Sequence, residues 1–234
     1  RNKEPITLSV KFPLLLFMGS EGIAVGLSSK ILPHNFNELI EAAIDYLRGK
    51  DFVLYPDFIT GGIVDVSNYN NGKKGGKIKI RAKISQLDNR TIQITEIPYG
   101  TTTISLIDSI IQANDSGKIK IKKIEDNTAE NVEILIYLPN GVDINKTIEA
   151  LYAFTNCEVS INVNACVISN NKPVFLSVND ILKYSVDRTV ELIKAELELS
   201  IAELNNKIFY TRLEKIFIEE KIYRKIEAIE NYQT

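Results

Sequence analysis

The chain has 234 residues, 44% of them hydrophobic and 25% charged, with a formal net charge of −2. That is enough for one large domain or two smaller ones with a real core, in proportions ordinary for a folded protein. The longest apolar run, Phe12 to Met18, contains Pro13 and falls far short of the ~20 residues a membrane span needs, and it lacks signal-peptide flanks, so no membrane partner is expected. The near-neutral total gives no sign of nucleic acid, but it does not exclude a local basic patch. Arg1 rather than Met opens the chain and no helix stop closes it at Thr234, so a piece of a longer protein is expected.

Residues 1–34 read as extended chain and turns, broken by Gly19, Gly22 and Gly26 and closed by Pro33. Asn35 or Asn37 then caps a helix whose face carries Leu39, Ile40, Ala43, Ile44 and Leu47, ending at Gly49. A short strand is expected near Gly62–Val66, and 67–76 is loop-like. Strict alternation follows, with Ile78, Ile80, Ala82 and Ile84 on one side and Lys77, Lys79, Arg81 and Lys83 on the other: a half-buried strand with one basic face. Arg90–Ile97 alternates likewise and predicts a hairpin partner. Next come a helix from Thr103 with Ile104, Ile107, Ile110 and Ile111 inward, a strand over Lys118–Ile124 paired with Val132–Leu138, and a helix capped by Asp143 carrying Ile148, Leu151 and Tyr152. Glu158–Ile168 and Pro173–Leu176 are further strands. From Ser177 onward there is neither Pro nor Gly, and Leu182, Val186, Val190, Ile193, Leu197, Ile201, Leu204 and Ile208 recur every three or four residues, which predicts a long amphipathic helix continuing through Tyr210–Tyr232 after a bend. The fold class is therefore α+β, a mixed α/β body followed by a long C-terminal amphipathic helix.

Charge is concentrated between residues 73 and 83, where Lys73, Lys74, Lys77, Lys79, Arg81 and Lys83 have no acidic residue among them. Lys118, Lys120, Lys122 and Lys123 form a second group; on strands of one sheet the two would make a surface fitted to phosphate. Lysines also protect exposed strand edges, so a solvated face is the plain alternative. No aromatic interleaves with these lysines, which favours a duplex backbone track over a single-strand stacking platform. His34 is the only histidine, and beside Pro and Asn it reads as a structural hydrogen-bonding residue. Cys157 and Cys166 have no metal-ligand spacing and read as reduced, buried thiols. The glycines of Gly19–Gly26 lack the Gly-Lys-Ser/Thr ending of a phosphate loop. No tyrosine stands out as a nucleophile and no carboxylate pair as an acid/base couple, so no catalytic residue and no metal ligand is assigned.

The segment Phe12-Pro13-Leu14-Leu15-Leu16-Phe17-Met18-Gly19-Ser20-Glu21-Gly22-Ile23-Ala24-Val25-Gly26, continuing through Lys30-Ile31-Leu32-Pro33-His34-Asn35, resembles a signature of the A subunits of gyrase and topoisomerase IV, the bacterial type IIA DNA topoisomerases. Thr95-Glu96-Ile97-Pro98-Tyr99, Leu151-Tyr152 with Val159-Ser160 and Asn162, and Asn179-Asp180-Ile181-Leu182 agree with it, so the likeness covers essentially the whole chain. Arg1-Asn2-Lys3-Glu4-Pro5 and Leu213–Glu219 resemble the topoisomerase IV type of the Bacteroidetes group.

The resemblance implies the tail of a winged-helix DNA-gate domain over 1–35, a tower domain over 36–178 and the start of a coiled-coil arm over 179–234. It implies a piece that grips and bends double-stranded DNA in an enzyme of transient double-strand cleavage, strand passage and religation, inactive by itself because the family's nucleophilic tyrosine and its arginine lie upstream. It also implies a homodimer of A subunits, a partner B subunit supplying ATP hydrolysis and the Mg²⁺ site, and a cytoplasmic, chromosome-associated setting. Ile31 is matched to the family's isoleucine that wedges between base pairs, with Lys30 beside it on the DNA surface. Leu32 stands where gyrase has a second proline, and Val186-Asp187-Arg188-Thr189 where gyrases carry a more basic cluster, so no DNA role is assigned there. A sheet that binds RNA or single strands, and a structural module dimerising through the C-terminal helix, are the competing expectations.

Overall fold

In the computed structural model, which describes residues 10–169 and 171–227, the expected extended start is broken by one turn of helix. Helix α1 (Leu14–Met18) follows Pro13, whose fixed φ suits a helix start, and it buries Leu16. Strands β1 (Ser20–Ala24) and β2 (Leu27–Ile31) then pair antiparallel, Ala24 facing Leu27 across a two-residue turn. Gly26, at φ +75°, supplies the left-handed position that this turn requires. Helix α2 (Phe36–Leu47) is capped by Asn35, whose side-chain oxygen accepts the Asn37 N–H at 2.9 Å. Its inward side is Leu39 and Ala42; Ile44 and Leu47, expected inside, are exposed.

The alternating run at 77–84 is divided between two sheets. Strand β3 (Ile63–Asp65) and β4 (Lys77–Arg81) pair antiparallel, and β9 (Glu158–Asn162) completes a three-stranded sheet in the order β3-β4-β9. After Ala82 the chain enters β5 (Lys83–Gln86), the edge of a four-stranded antiparallel sheet ordered β5-β6-β8-β7, with β6 at Thr91–Glu96, β7 at Lys123–Asp126 and β8 at Ile134–Tyr137. The expected hairpin of β5 with β6 is present, with a register shift at Lys83/Ile84 where the run changes sheets.

Helices α3 (Thr103–Asp115) and α4 (Ile144–Phe154) supply the apolar side chains that pack on this second sheet. Thr102 and Ser105 form a reciprocal capping box at the start of α3, and the Asp143 carboxylate accepts the Asn145 and Lys146 N–H groups at the start of α4. Ile92, Ile94, Ile134 and Ile136 from the strands meet Leu106, Ile110 and Leu151 from the helices in one core. Each such side chain contributes about 1.5–3 kcal/mol on burial. The inward side of α3 differs from the periodicity expected, since Leu106 and Ala113 are inside while Ile104 and Ile111 are exposed. Lys118–Lys122 is irregular chain before β7 rather than a strand.

The long strand expected over Glu158–Ile168 is interrupted at Val163–Ala165, after which β10 (Cys166–Ser169) pairs with β11 (Lys172–Phe175). Helix α5 (Val178–Glu219) begins where Ser177 and Asp180 cap one another and runs 42 residues, about 60 Å. Lys221, at φ +49°, breaks it before α6 (Ile222–Glu227), later than the bend expected near Tyr210. The chain divides into two compact units, one of residues 12–185, the other with 10–11 and 186–227 as its described part. In the second unit Lys11 is ion-paired to Glu196, and Ile193, Leu197, Ile201, Leu204 and Ile208 are exposed. The Arg1–Pro5 block and the chain's last residues, 228–234, lie outside the described residues.

Close packing of backbone on backbone makes Gly76 irreplaceable: a Cβ there would stand 2.3 Å from the Tyr69 carbonyl oxygen and 2.7 Å from Val163 Cγ2. Gly76→Ala is therefore expected to destabilise the fold by about 1–3 kcal/mol. Urea denaturation checks this as a lowered midpoint at unchanged slope, and an unchanged midpoint would show that the 69–76 loop yields.

Candidate nucleic-acid interface

Three backbone residues organise the basic region. In the break between β9 and β10, Val163 N–H donates to Gly76 O (2.9 Å) and Ala165 N–H to Gly72 O (3.1 Å), so this connector holds both ends of the loop that carries Lys73 and Lys74. Between them, Asn164 exchanges two backbone hydrogen bonds with Lys30 (2.8 and 3.1 Å), and its side-chain Nδ2 donates to Ser28 O at 2.6 Å. The lysine loop and the base of the β1–β2 hairpin are thus fastened to the same connector.

The outward face of β4 carries Lys77, Lys79 and Arg81, while Ile78 and Ile80 are buried, as the alternation predicts. The cations are not equivalent. Glu158, cross-strand from Arg81, accepts from Arg81 Nε at 2.6 Å through one oxygen and lies 3.5 Å from Lys79 Nζ through the other. Arg81 also lies over the Tyr152 ring, 5.0 Å from its centroid. Its hydrogen bond, helped by the charges of Arg81 and Lys79, holds the Glu158 carboxyl below the usual carboxylate range despite partial burial. Asp65 faces Lys79 from β3. Lys83 is paired at 3.0 Å with Glu96, which also accepts the Gly62 N–H at 2.6 Å. Lys73, Lys74 and Lys77 form no ion pair among the described residues; Lys74 lies 5.5 Å from the centroid of the Phe175 ring.

Two expectations need correction. Lys118–Lys123 does not extend the β4 face, because β7 lies at the far edge of the other sheet. Ile31 is only 5% exposed, and Lys30 beside it is half-buried and bonded to Glu21 at 2.9 Å. A side chain so enclosed has no surface to place against a base step, so Ile31 anchors the hairpin instead of projecting from it. The most exposed apolar residues of that hairpin are Ile23 (91%) and Val25 (103%), inside the Gly22–Gly26 stretch of the signature. Sequence reasoning missed Ile23 although the two-residue Val25-Gly26 turn marks a hairpin tip. Glu158 was missed because only strand register shows it opposite Arg81. Cys157 is buried, which pushes its thiol up to about 11, whereas Cys166 is half-buried and lines a groove of about 630 Å³ with Ile23, Leu27, Ile31, Ile168 and Pro173. Among the described residues no helix is long and apolar enough to cross a membrane, and no three or more His, Cys, Asp or Glu side chains gather as metal ligands.

The whole chain, residues 1–234, matches the family model for the A subunit of DNA gyrase/topoisomerase IV. The chain belongs to this family. It is similar to the topoisomerase 4 A subunit of Borreliella burgdorferi (48% identical, covering 93% of this chain and 34% of that protein). It is also similar to the DNA gyrase A subunit of Lawsonia intracellularis (34% identical; 86% and 27%) and the topoisomerase 4 A subunit of Rickettsia conorii (35% identical; 77% and 27%). The chain thus spans about a third or less of the curated relatives it matches. In this member of the gyrase/topoisomerase IV family the signature includes a buried His34, whose ring nitrogens lie 3.2 Å from Leu16 O and 3.3 Å from the Tyr69 hydroxyl.

Burial lowers the His34 pKa from its ordinary 6.5, outweighing the hydrogen bonds to Leu16 and Leu32 and the charge of Asp57, which raise it. The folded chain therefore resists a proton that the unfolded chain accepts. Stability is whole above the unfolded pKa and is lost as pH falls from about 6.5 through the folded value. The urea midpoint is expected to decline from pH 7 to 5.5, above the range where Glu96 and Glu158 titrate. His34→Gln should flatten that decline; an equal decline in the variant would place its origin elsewhere.

Proposed function

We propose that this chain grips and bends double-stranded DNA within the A subunit of a type IIA topoisomerase, holding the segment during transient double-strand cleavage, strand passage and religation. The observation that carries this reading is the connector 163–165, which fastens a cationic loop with no ion pair among the described residues, and an apolar hairpin, to one piece of backbone. Lys73, Lys74 and Lys77 supply sequence-independent phosphate contacts, with Lys79, Arg81 and Lys83 continuing the track under partial neutralisation. Ile23 at the hairpin, rather than Ile31, serves as the wedge: unstacking a base step costs a few kcal/mol, offset by the wider contact a bent duplex permits. Lys30 steadies that hairpin from its base through Glu21.

No catalytic residue is assigned in this chain. The partner B subunit supplies ATP hydrolysis and Mg²⁺ chemistry, a second copy of the A subunit completes the dimer, and the setting is the chromosome in the cytoplasm. The exposed apolar residues of α5 suit the helical packing of a coiled-coil arm.

Reversing Lys73, Lys74 and Lys77 to Glu in the full-length gene product should weaken duplex binding uniformly across sequences. It should also flatten the plot of log K against log salt by about one unit per lost phosphate contact. An unchanged slope would remove the loop from the DNA surface. Ile23→Ser should reduce DNA bending, read by fluorescence transfer between duplex ends, while leaving the unfolding free energy from urea titration within about 0.5 kcal/mol of the parent because the side chain is exposed. Normal bending in that variant would reject the wedge.

A further inference from the structure

We propose that Glu158 limits the reach of the duplex track by standing in for a phosphate on Arg81 and Lys79, so that DNA engages these two cations only by displacing it. The proposal rests on the DNA-gripping reading above and adds a residue that works against binding. Its basis is geometric. One carboxylate reaches two cations of the same strand face through separate oxygens, at 2.6 and 3.5 Å. The Glu158 side chain is 18% exposed whereas those of Lys79 and Arg81 are 49% and 50% exposed, so the anion sits lower and the cations stand outside it. An incoming phosphate would approach the open side of the same groups.

Cross-strand register holds Glu158 in place, since β9 pairs with β4 through five successive residue pairs and sets Glu158 directly beside Arg81. The aromatic ring of Tyr152 supports Arg81 from a further side. Asp65, facing Lys79 from β3, adds a second negative charge. The outward face therefore grades from lysines without an ion pair among the described residues, at the loop end of β4, to a neutralised end at Arg81. Exposed ion pairs hold one another weakly, so the competition is decided by local phosphate density and salt. Glu158 is a positioning residue in this scheme: it touches no DNA and acts through the two cations.

The test measures binding of the full-length gene product to a mixed-sequence duplex over a salt series. Glu158→Gln should tighten binding roughly 3- to 10-fold near physiological salt, as expected for release of two exposed ion pairs. It should also steepen the salt slope by about one to two units. The gain should vanish when Lys79 and Arg81 are both changed to Gln, a non-additivity that a structural role or simple net charge would not produce. Glu130→Gln, removing a carboxylate from an exposed loop between β7 and β8, should give no such gain. Glu158→Asp keeps the charge and shortens its reach, so it should give a smaller gain of the same sign, and it serves if the Gln variant melts early. A gain that persists without Lys79 and Arg81, or that Glu130→Gln matches, overturns the proposal. No gain from either Glu158 variant, while reversal of Lys73, Lys74 and Lys77 still weakens binding, overturns it alone. Indifference of binding to that reversal as well would bring down the parent reading with it.

Discussion

The basic region depends on the hydrogen bonds made by Val163, Asn164 and Ala165. A loop containing two asparagines at positive φ and several glycines has no reason to hold one shape by itself, because its conformational entropy is large and its apolar content small. Fastening Gly72 and Gly76 to the connector fixes both ends of the lysine-bearing turn, and the same connector fixes the hairpin through Lys30. The packing of Gly76 against Tyr69 and Val163 shows how little room this arrangement leaves. His34 and Tyr69 brace the loop from the other side, and burial keeps the imidazole neutral and raises the pKa of the phenol. A surface made mostly of loop is thereby given a fixed geometry, as the proposed phosphate contacts would require.

Electrostatics on this surface is a matter of spacing more than of total charge. The chain as a whole is slightly acidic, and even the outward sheet face mixes Lys77, Lys79 and Arg81 with Asp65 and Glu158. Interleaved carboxylates keep lysines from repelling one another and stop the face from behaving as an indiscriminate polycation.

Much of this fold was legible because alternation and caps are local signals. Asn35, Asp143 and Ser177 mark helix starts, and the Ile/Lys alternation of 77–81 gave the correct inside and outside faces. Sheet membership was not legible. The alternation continues unbroken through Ala82, since both sheets demand the same inward face there, and nothing local announces the change of partner. For the same reason Lys118–Lys122 alternates like a strand yet is irregular chain, its isoleucines being recruited one at a time by the core. The exposed Ile23 and the buried Ile31 lie on the two strands of one hairpin, and composition alone treats them alike. Three-dimensional register separates them, as it alone pairs Arg81 with Glu158.

The crossing at Ala82 has a mechanical side. Its N–H is held by Cys157 O at 2.8 Å and its carbonyl by the Tyr152 hydroxyl at 2.9 Å, so the residue between the two sheets is held through both peptides that flank it. Tension applied to the lysines of β4 cannot be absorbed by a swivel at this point. It passes through the backbone into β5 and so into the sheet carrying the isoleucine core. Within the 12–185 unit, the seam between the two sheets is thus a fixed joint rather than a hinge.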